Sequence, residues 1–179
     1  MIVKSAFVQG RLIFDNIMVA HELMHTMKNK RKGKSGLLAA KLDMTKAYDR
    51  VEWKFLEGIM LKLGFTERWV HLIMACVTYV SYSTTINGSQ GGSFYPTKGL
   101  RHGDPLSPYL FLFFAEGLVS LMKDASCRGK IKGVRATKGG PKVAHLFVAD
   151  DSLFFCRAKE NECREMLNIL DLYRRALGQ

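Results

Sequence analysis

Two adjacent carboxylates stand between two apolar runs near the end of the chain. Asp150 and Asp151 follow the run HLFVA and are followed by SLFF. Because both flanks are rich in strand-forming residues, this stretch predicts a β-hairpin with the two carboxylates at its tip. A hairpin tip allows both side chains to approach one metal ion or phosphate, whereas in a regular strand neighbouring side chains point to opposite faces. The alternative interpretation is an ordinary Asp-Asp-Ser turn.

A third carboxylate ends an earlier predicted strand. Residues 37–43 (LLAAKLD) have the apolar content of a buried strand, and Asp43 is its last residue. In an antiparallel sheet the end of this strand can lie beside the hairpin tip, so that Asp43, Asp150 and Asp151 converge. Three carboxylates at one sheet edge repel one another, which favours a divalent cation. Oxygen ligands suit Mg²⁺ or Mn²⁺, and two such ions can support an in-line phosphoryl displacement. The set therefore predicts nucleotidyl transfer.

A competing metal motif lies in a helix that is predicted to begin near Asp15. His21, Glu22 and His25 match the pattern H-E-x-x-H. That spacing places two imidazoles on one helical face as zinc ligands, with the glutamate as general base. The extended form of the motif is missing, because Lys28 and Arg31 stand where a glycine and a third histidine would be. A zinc hydrolase is therefore a distant alternative.

The charge of the chain favours a polyanionic partner. Its 27 basic and 16 acidic residues give a net charge of +11, and nucleic acid is the commonest partner of such a protein. A basic loop over residues 28–36 is either a solvated connection or a contact to phosphates. Its candidate nucleic-acid-binding residues are Lys28, Lys30, Arg31, Lys32 and Lys34. The four cysteines show no C-x-x-C spacing, which favours an intracellular, reducing compartment, nuclear or cytoplasmic. No signal peptide and no membrane span are expected.

The elements that must position these residues alternate between helices and strands. The pattern predicts helices over 52–63, 67–79, 108–123 and 160–177, and strands over 131–137, 143–149 and 153–156. Asn87–Gly88 predicts the turn of a hairpin within 82–97. Ile17 and Met24 are expected on the buried face of the first helix, and Trp69 and Leu72 on that of the helix over 67–79. This order favours an α+β domain with an antiparallel sheet and a split βαβ core.

Three ordered motifs resemble the reverse transcriptase domain of non-LTR (LINE-type) retrotransposons, most of all those of plant genomes. They are KLDMTKAYDRV at 41–51, the loop GLRHGDPLSP at 99–108, and VADD at 148–151. The resemblance extends over nearly the whole chain. It implies a polymerase palm with a ferredoxin-like core and partial fingers, which copies an RNA template from a DNA primer. It also implies deoxynucleoside triphosphates as substrates and two Mg²⁺ or Mn²⁺ ions as cofactors.

The resemblance also implies a role for individual residues and segments. Asp43, Asp150 and Asp151 match the metal-binding aspartates, and Tyr48 matches the residue beneath the incoming sugar. The segment that contacts the nucleotide and the template includes Arg101, His102, Gly103, Ser107 and Pro108. The implied division is fingers and palm over 1–36, palm over 37–51, a fingers insertion over 52–106 and palm over 107–179, with the thumb absent. The His21–His25 stretch falls inside the family's pattern, which lowers the zinc interpretation further.

Two departures from the family pattern indicate a drifted copy. His102 stands where the family usually has glutamine, and Val148 stands where it usually has an aromatic residue, with Phe147 one place earlier. By this resemblance the chain also lacks the basic fingers segment, the primer grip, the thumb and an endonuclease domain. We therefore expect a truncated retroelement remnant with weak or no polymerase activity alone. A non-catalytic nucleic-acid-binding remnant is the alternative from a different functional class.

Overall fold

The computed structural model describes residues 2–3, 13–30, 36–43, 46–148 and 151–177. Its helices are α1 (Ile13–Lys28), α2 (Trp53–Lys62), α3 (Glu67–Thr78), α4 (Ser107–Cys127) and α5 (Glu160–Ala176). Its strands are β1 (Ile2–Val3), β2 (Leu37–Asp43), β3 (Tyr82–Ile86), β4 (Ser89–Phe94), β5 (His145–Val148) and β6 (Asp151–Arg157). The chain forms two compact units. We call Met1–Thr45 with Gly117–Arg175 the sheet unit, and Lys46–Glu116 with Ala176–Gln179 the hairpin unit.

The sheet unit contains a four-stranded sheet in the order β1-β5-β6-β2. β2 pairs antiparallel with β6 over its whole length, from Leu37 opposite Arg157 to Asp43 opposite Asp151. β5 and β6 form the predicted antiparallel hairpin. β1 joins the other edge parallel to β5, and no local pattern in the sequence predicts it. The predicted α+β architecture is confirmed, with one parallel edge strand added.

One face of this sheet packs against α1. Ala20 and Leu23 of α1 form a buried cluster with Leu146 of β5 and Phe155 of β6. Leu23, Leu146 and Phe155 are fully buried, and each such side chain contributes about 1.5–3 kcal/mol through its removal from water. The opposite face of the hairpin is buried as well, because His145 and Phe154, which pair across the strands, are also inaccessible.

The predicted apolar face of α1 is wrong by part of a turn. Ile17 and Met24 are 40% and 49% exposed. Asn16 is buried instead, since its side-chain amide donates a hydrogen bond to the backbone carbonyl of Phe147. A polar residue with a specific backbone partner therefore takes a place that a purely apolar pattern assigns to its neighbour.

Two predictions about strands are also wrong in part. Residues 131–137 form no strand, only one bridge between Val134 and Val143. Gly133 has φ +63°, and a Cβ there would lie 2.8 Å from the carbonyl oxygen of Val143, so regular pairing does not continue through it. The hairpin tip is shorter than predicted, since Asp151 and Ser152 already belong to β6. The connection consists of residues 149–150, which lie outside the described residues.

In the hairpin unit, α2 and α3 match their predicted ranges to within one residue at each end. The side-chain oxygen of Thr66 accepts a hydrogen bond from the backbone N–H of Trp69 and caps α3. The predicted buried face of α3 is wrong, because Trp69 and Leu72 are 49% and 54% exposed while Val70 is buried. The predicted hairpin is present as β3 and β4, with positive φ at both Asn87 and Gly88 as a type I′ turn requires.

α4 begins one residue before the predicted start and ends four residues after the predicted end. The side chain of Asp104 accepts a hydrogen bond from the backbone N–H of Leu106 at 2.8 Å, just before the helix starts. The division between the two units falls within α4, after Glu116. Within the described part of the chain, no helix combines the length and the apolar content needed to cross a membrane.

Candidate active site

The pairing of β2 with β6 ends at two opposed carboxylates. Asp43 and Asp151 are directly opposite in the antiparallel register. Directly opposed side chains share a face and have Cβ atoms about 4.5–5.5 Å apart, and like charges at such positions destabilise the sheet. The fold therefore places two negative charges together at an end of the strand pair, where a cation would stabilise them.

Lys41 supplies one such positive charge. Its Nζ lies 2.8 Å from Oδ2 of Asp151. The hydrogen bond and the charge of Asp151 raise the pKa of Lys41, and the charge of Asp43 raises it further. We did not predict this contact, although the spacing of Lys41 and Asp43 by two residues along one strand places both on the same face.

The donor set described at this site fits a hard divalent cation. Asp43 and Asp151 offer carboxylate oxygens, which Mg²⁺ and Mn²⁺ prefer, and the ammonium group of Lys41 already takes the position of a cation beside them. Asp150, the third predicted ligand, lies outside the described residues. Among the residues that are described, no three His, Cys, Asp or Glu side chains lie close enough together to hold a metal ion. The role of the aspartates as metal ligands stays a prediction.

The zinc motif gains no support from the geometry. His21, Glu22 and His25 are all exposed on α1, and the described residues contribute no third ligand near them. The ring of His25 instead contacts the side-chain amide of Asn29, with Nε2 2.9 Å from Nδ2. This is the bonding of an ordinary surface helix.

In the hairpin unit the structure brings Tyr48 and His102 together. Their ring centroids are 5.4 Å apart, and the ring of Tyr48 stacks on Phe111 of α4 at 5.1 Å. His102 Nε2 lies 3.1 Å from Oδ1 of Asp49, a residue that we did not predict. A glutamine at position 102 has an amide donor that can make the same type of contact, so the departure at this position keeps a donor.

The loop that follows residue 98 is fixed to the turn that contains Tyr48. The backbone N–H of Leu100 donates to the carbonyl of Tyr48 at 2.8 Å, and the N–H of Gly99 donates to that of Val51 at 2.8 Å. The indole N–H of Trp53 donates to the carbonyl of Gly99 at 2.8 Å. Gly99 has φ +93°, and a Cβ there would lie 3.1 Å from the carbonyl oxygen of Asp49, so this position requires glycine.

The remaining predicted site residues differ in accessibility. Arg101 and Gly103 are exposed on the loop, Pro108 is half-buried, and Ser107 is buried with only 4% of its surface exposed. Lys28 and Lys30 are exposed at the end of α1, whereas Arg31, Lys32 and Lys34 lie outside the described residues.

The register of the hairpin defines the second departure from the family pattern. Val148 pairs with Asp151, and Phe147 pairs with Ser152. The ring of Phe147 is buried against His145, with centroids 4.4 Å apart. Because side chains alternate, position 148 shares a face with Asp151 and position 147 does not. The aromatic residue therefore lies on the other side of the sheet from the carboxylate.

Solved structures with the same fold define the class of this protein. A telomerase from Candida tropicalis, solved in complex with a fragment of telomeric RNA, superposes with a TM-score of 0.61 at 14% identity. The match covers 93% of this chain and 26% of that one. The α+β fold is therefore that of a reverse transcriptase palm. The family model described as reverse transcriptase (RNA-dependent DNA polymerase) matches residues 3–178, and the chain belongs to this family.

Related sequences point to the non-LTR retrotransposon branch of the family. A type-1 retrotransposable element R2 polyprotein of Popillia japonica is 31% identical over 132 residues, and a transposon TX1 protein of Xenopus laevis is 27% identical over 168 residues. These matches cover 73% and 91% of this chain, but 21% and 12% of the relatives. An uncharacterised mitochondrial protein of Arabidopsis thaliana is 45% identical over 67 residues, which are 37% of this chain and 55% of that protein. The chain thus spans between about an eighth and about half of the length of these relatives.

Proposed function

We propose that this chain is the part of an RNA-directed DNA polymerase that carries the catalytic aspartates. Its substrates would be a DNA primer, an RNA template and deoxynucleoside triphosphates, and its cofactors two Mg²⁺ or Mn²⁺ ions. The observation that carries this proposal is the opposition of Asp43 and Asp151 on one sheet face in a chain of the reverse transcriptase family. The RNA named with the telomerase neighbour supports an RNA partner in the same fold.

The side chains would divide the work between holding charge and positioning the nucleotide. Asp43, Asp150 and Asp151 would hold the two ions, which when bound promote attack by the primer hydroxyl and stabilise the leaving oxygen. Lys41 balances the charge of Asp151 when this carboxylate holds no ion. Tyr48, held flat against Phe111, would support the sugar of the incoming nucleotide. Arg101, exposed on its loop, would attract the triphosphate.

A second candidate is a nucleic-acid-binding protein without catalysis. The net charge of +11 supports binding to a polyanion whether or not the aspartates act. The replacements at His102 and Val148 support a copy that has drifted from an active ancestor. We expect weak or no incorporation by this chain alone, since its curated relatives are longer.

Primer extension on poly(rA)/oligo(dT) with Mg²⁺, and separately with Mn²⁺, tests the proposal. Wild-type protein is compared with Asp43→Asn and Asp151→Asn. Asp124→Asn, the same chemical change at an exposed position of α4, is the matched control. We expect incorporation by the wild-type and control proteins and none by the two aspartate variants. Equal incorporation by all four proteins would remove the polymerase assignment, while tight template–primer binding without any incorporation would favour the second candidate.

A further inference from the structure

One segment of the sheet unit carries a concentration of positive charge that the proposed active site does not use. Six basic residues and no acidic residue stand between Ala125 and Val148. Two of the six have acidic partners, since Arg128 pairs with Asp124 and Lys130 pairs with Glu165. Lys132, Arg135 and Lys138 are exposed, and the structure gives none of these three side chains an ion pair with a described residue. Their charge is therefore available to a partner.

The backbone that carries these side chains is fixed at several points. Val134 and Val143 exchange two backbone hydrogen bonds of 2.7 and 2.8 Å. The backbone N–H of Lys132 donates to Oε2 of the buried Glu162 at 3.1 Å. Ile131 and Val134 are buried, so the chain is fixed inward and the basic side chains between them project outward. A partner would therefore bind charges whose backbone is already ordered, which lowers the entropic cost of binding.

A tight turn presents the last of the three free charges. The N–H of Gly140 donates to the carbonyl of Thr137 at 3.1 Å, and Gly139 has φ +90°. Lys138 therefore stands inside a β-turn whose central residues face solvent. The small residues around it allow a bulky polymer to approach the backbone closely.

The end of α1 lies beside this segment and extends its charge. The hydroxyl of Thr26 donates to the backbone carbonyl of Ala136 at 3.1 Å, and both Met27 and Ala136 pack against the same buried cluster. Lys28 and Lys30 follow directly on α1 and are exposed. The resulting basic surface consists of Lys28, Lys30, Lys132, Arg135 and Lys138.

We propose that the basic surface binds the phosphate backbone of a nucleic acid, as a contact separate from the aspartate site. Arginine and lysine are the side chains that pair with phosphate oxygens, and a nucleic-acid backbone repeats such charges along its length. An anionic membrane is the less suitable partner, because Pro141 is the one exposed apolar residue that the structure describes between 128 and 142, and membrane binding needs an apolar anchor. The inference deepens the proposed function but does not require polymerisation.

Binding of the full chain to a short fluorescein-labelled RNA–DNA hybrid, measured by anisotropy over a series of KCl concentrations, tests this surface. The test variant is Lys132→Gln/Arg135→Gln/Lys138→Gln. The matched control is Lys54→Gln/Lys62→Gln/Arg68→Gln, which removes the same side-chain types from exposed positions of α2 and α3 that have no ion pair with a described residue. Unchanged circular dichroism spectra and unchanged unfolding temperatures establish that both variants are folded.

We expect the test variant to bind about tenfold or more weakly at low salt, and its salt dependence to fall by about 0.9 for each phosphate that it no longer neutralises. The control should bind as the wild type does. An equal loss in the control would show that only total charge matters and would overturn the proposal, as would an unchanged affinity of the test variant. The same holds if the test variant loses binding to vesicles of phosphatidylserine and phosphatidylcholine while its binding to the hybrid is unchanged. Asp43→Asn/Asp151→Asn separates the two proposals, since it should abolish incorporation without lowering the salt dependence.

Discussion

Two hairpins of this chain have the same local plan and opposite surroundings. β3–β4 and β5–β6 are both antiparallel pairs joined by two residues. β5–β6 has a partner strand on each edge, and most of its described side chains are buried. β3–β4 forms a two-stranded sheet alone, and every residue of both strands is exposed. A tight turn thus predicts that a hairpin exists, but it does not predict how firmly the hairpin is held.

The difference explains why the candidate catalytic carboxylate belongs to β5–β6. A two-stranded hairpin without support is marginally stable, so its side chains are poorly positioned for chemistry. In β3–β4 the support comes from cross-strand pairs such as Tyr82 with Phe94, whose ring centroids are 5.8 Å apart. In β5–β6 the pairing of β6 with β2 fixes Asp151 against Asp43.

Removal of one aromatic ring from each hairpin should produce the largest contrast. Phe155→Ala in β6 removes a fully buried ring from the cluster with α1, and we expect it to lower the free energy of unfolding by about 3–5 kcal/mol. Phe94→Ala in β4, which is 53% exposed, should cost less than about 1 kcal/mol. Urea denaturation followed by circular dichroism measures both. Similar costs at the two positions would contradict the difference in support.

His145 should make the buried hairpin sensitive to acid. Burial lowers its pKa from 6.5 to about 3, and neither ring nitrogen has a hydrogen-bond partner among the described residues. Between these two pKa values the unfolded chain binds a proton that the folded chain excludes, so stability rises with pH across this window and is lost as pH falls. From pH 7 to pH 5 the loss from this residue should be about 2 kcal/mol. Chemical denaturation at both pH values measures it.

The control is His145→Leu, which keeps an apolar side chain between Phe147 and Phe154 and removes the titration. The variant should lose less stability than the wild type between pH 7 and pH 5. At pH 7 it should be as stable or more stable, because it no longer buries polar atoms without partners. An unchanged pH dependence would show that other groups cause the acid sensitivity.

The turn of the exposed hairpin gives a smaller and more local effect. Gly88 has φ +81°, and an L-residue there costs about 1–2 kcal/mol. Gly88→Ala should therefore speed amide hydrogen exchange in β3 and β4 and leave exchange in β5 and β6 unchanged. A Cβ at Gly58 of α2 meets no atom within 4 Å, so Gly58→Ala is a control without a steric clash. Faster exchange in both hairpins would mean that they unfold together.

The smallest expected effect concerns the charged end of the buried pair. Lys41→Met removes the ammonium group that contacts Asp151 and would compete with a metal ion for it. We expect the affinity for Mn²⁺, measured by electron paramagnetic resonance of the free ion, to rise severalfold. Lys54→Met, an exposed lysine on α2, should leave the affinity unchanged. Weaker Mn²⁺ binding by Lys41→Met would instead assign Lys41 a supporting role in the site.

The elements that the sequence predicts well are those with local physical causes. β2 is predicted at its observed residues, and α2, α3 and α5 to within a residue at each end, because apolar spacing and flanking glycines act over short distances. β1 is missed because two residues become a strand only through pairing with β5, far away in the chain. The strand over 131–137 is wrong because the positive φ of Gly133 interrupts extended backbone.

The candidate site shows the same limit. The opposition of Asp43 and Asp151 follows from strand alternation once the two strands pair, so it could be anticipated. The contact of Asp49 with His102 joins residues 53 positions apart and depends on how one loop packs against one turn. The exposure of Trp69 and Leu72 likewise depends on tertiary packing, which helical periodicity does not contain.

The pairing of Val148 with Asp151 has a consequence for which mutations this protein can accept. Side-chain direction alternates along a strand, so a substitution in the hairpin changes one side chain at one face. Deletion or insertion of a single residue between the strands would instead shift the register and turn every later side chain of β6 to the opposite face. Asp151 would then point away from Asp43, and Ser152 would take its place. The identity of residues here is open to drift, as Val148 illustrates, whereas the length of the connection is not.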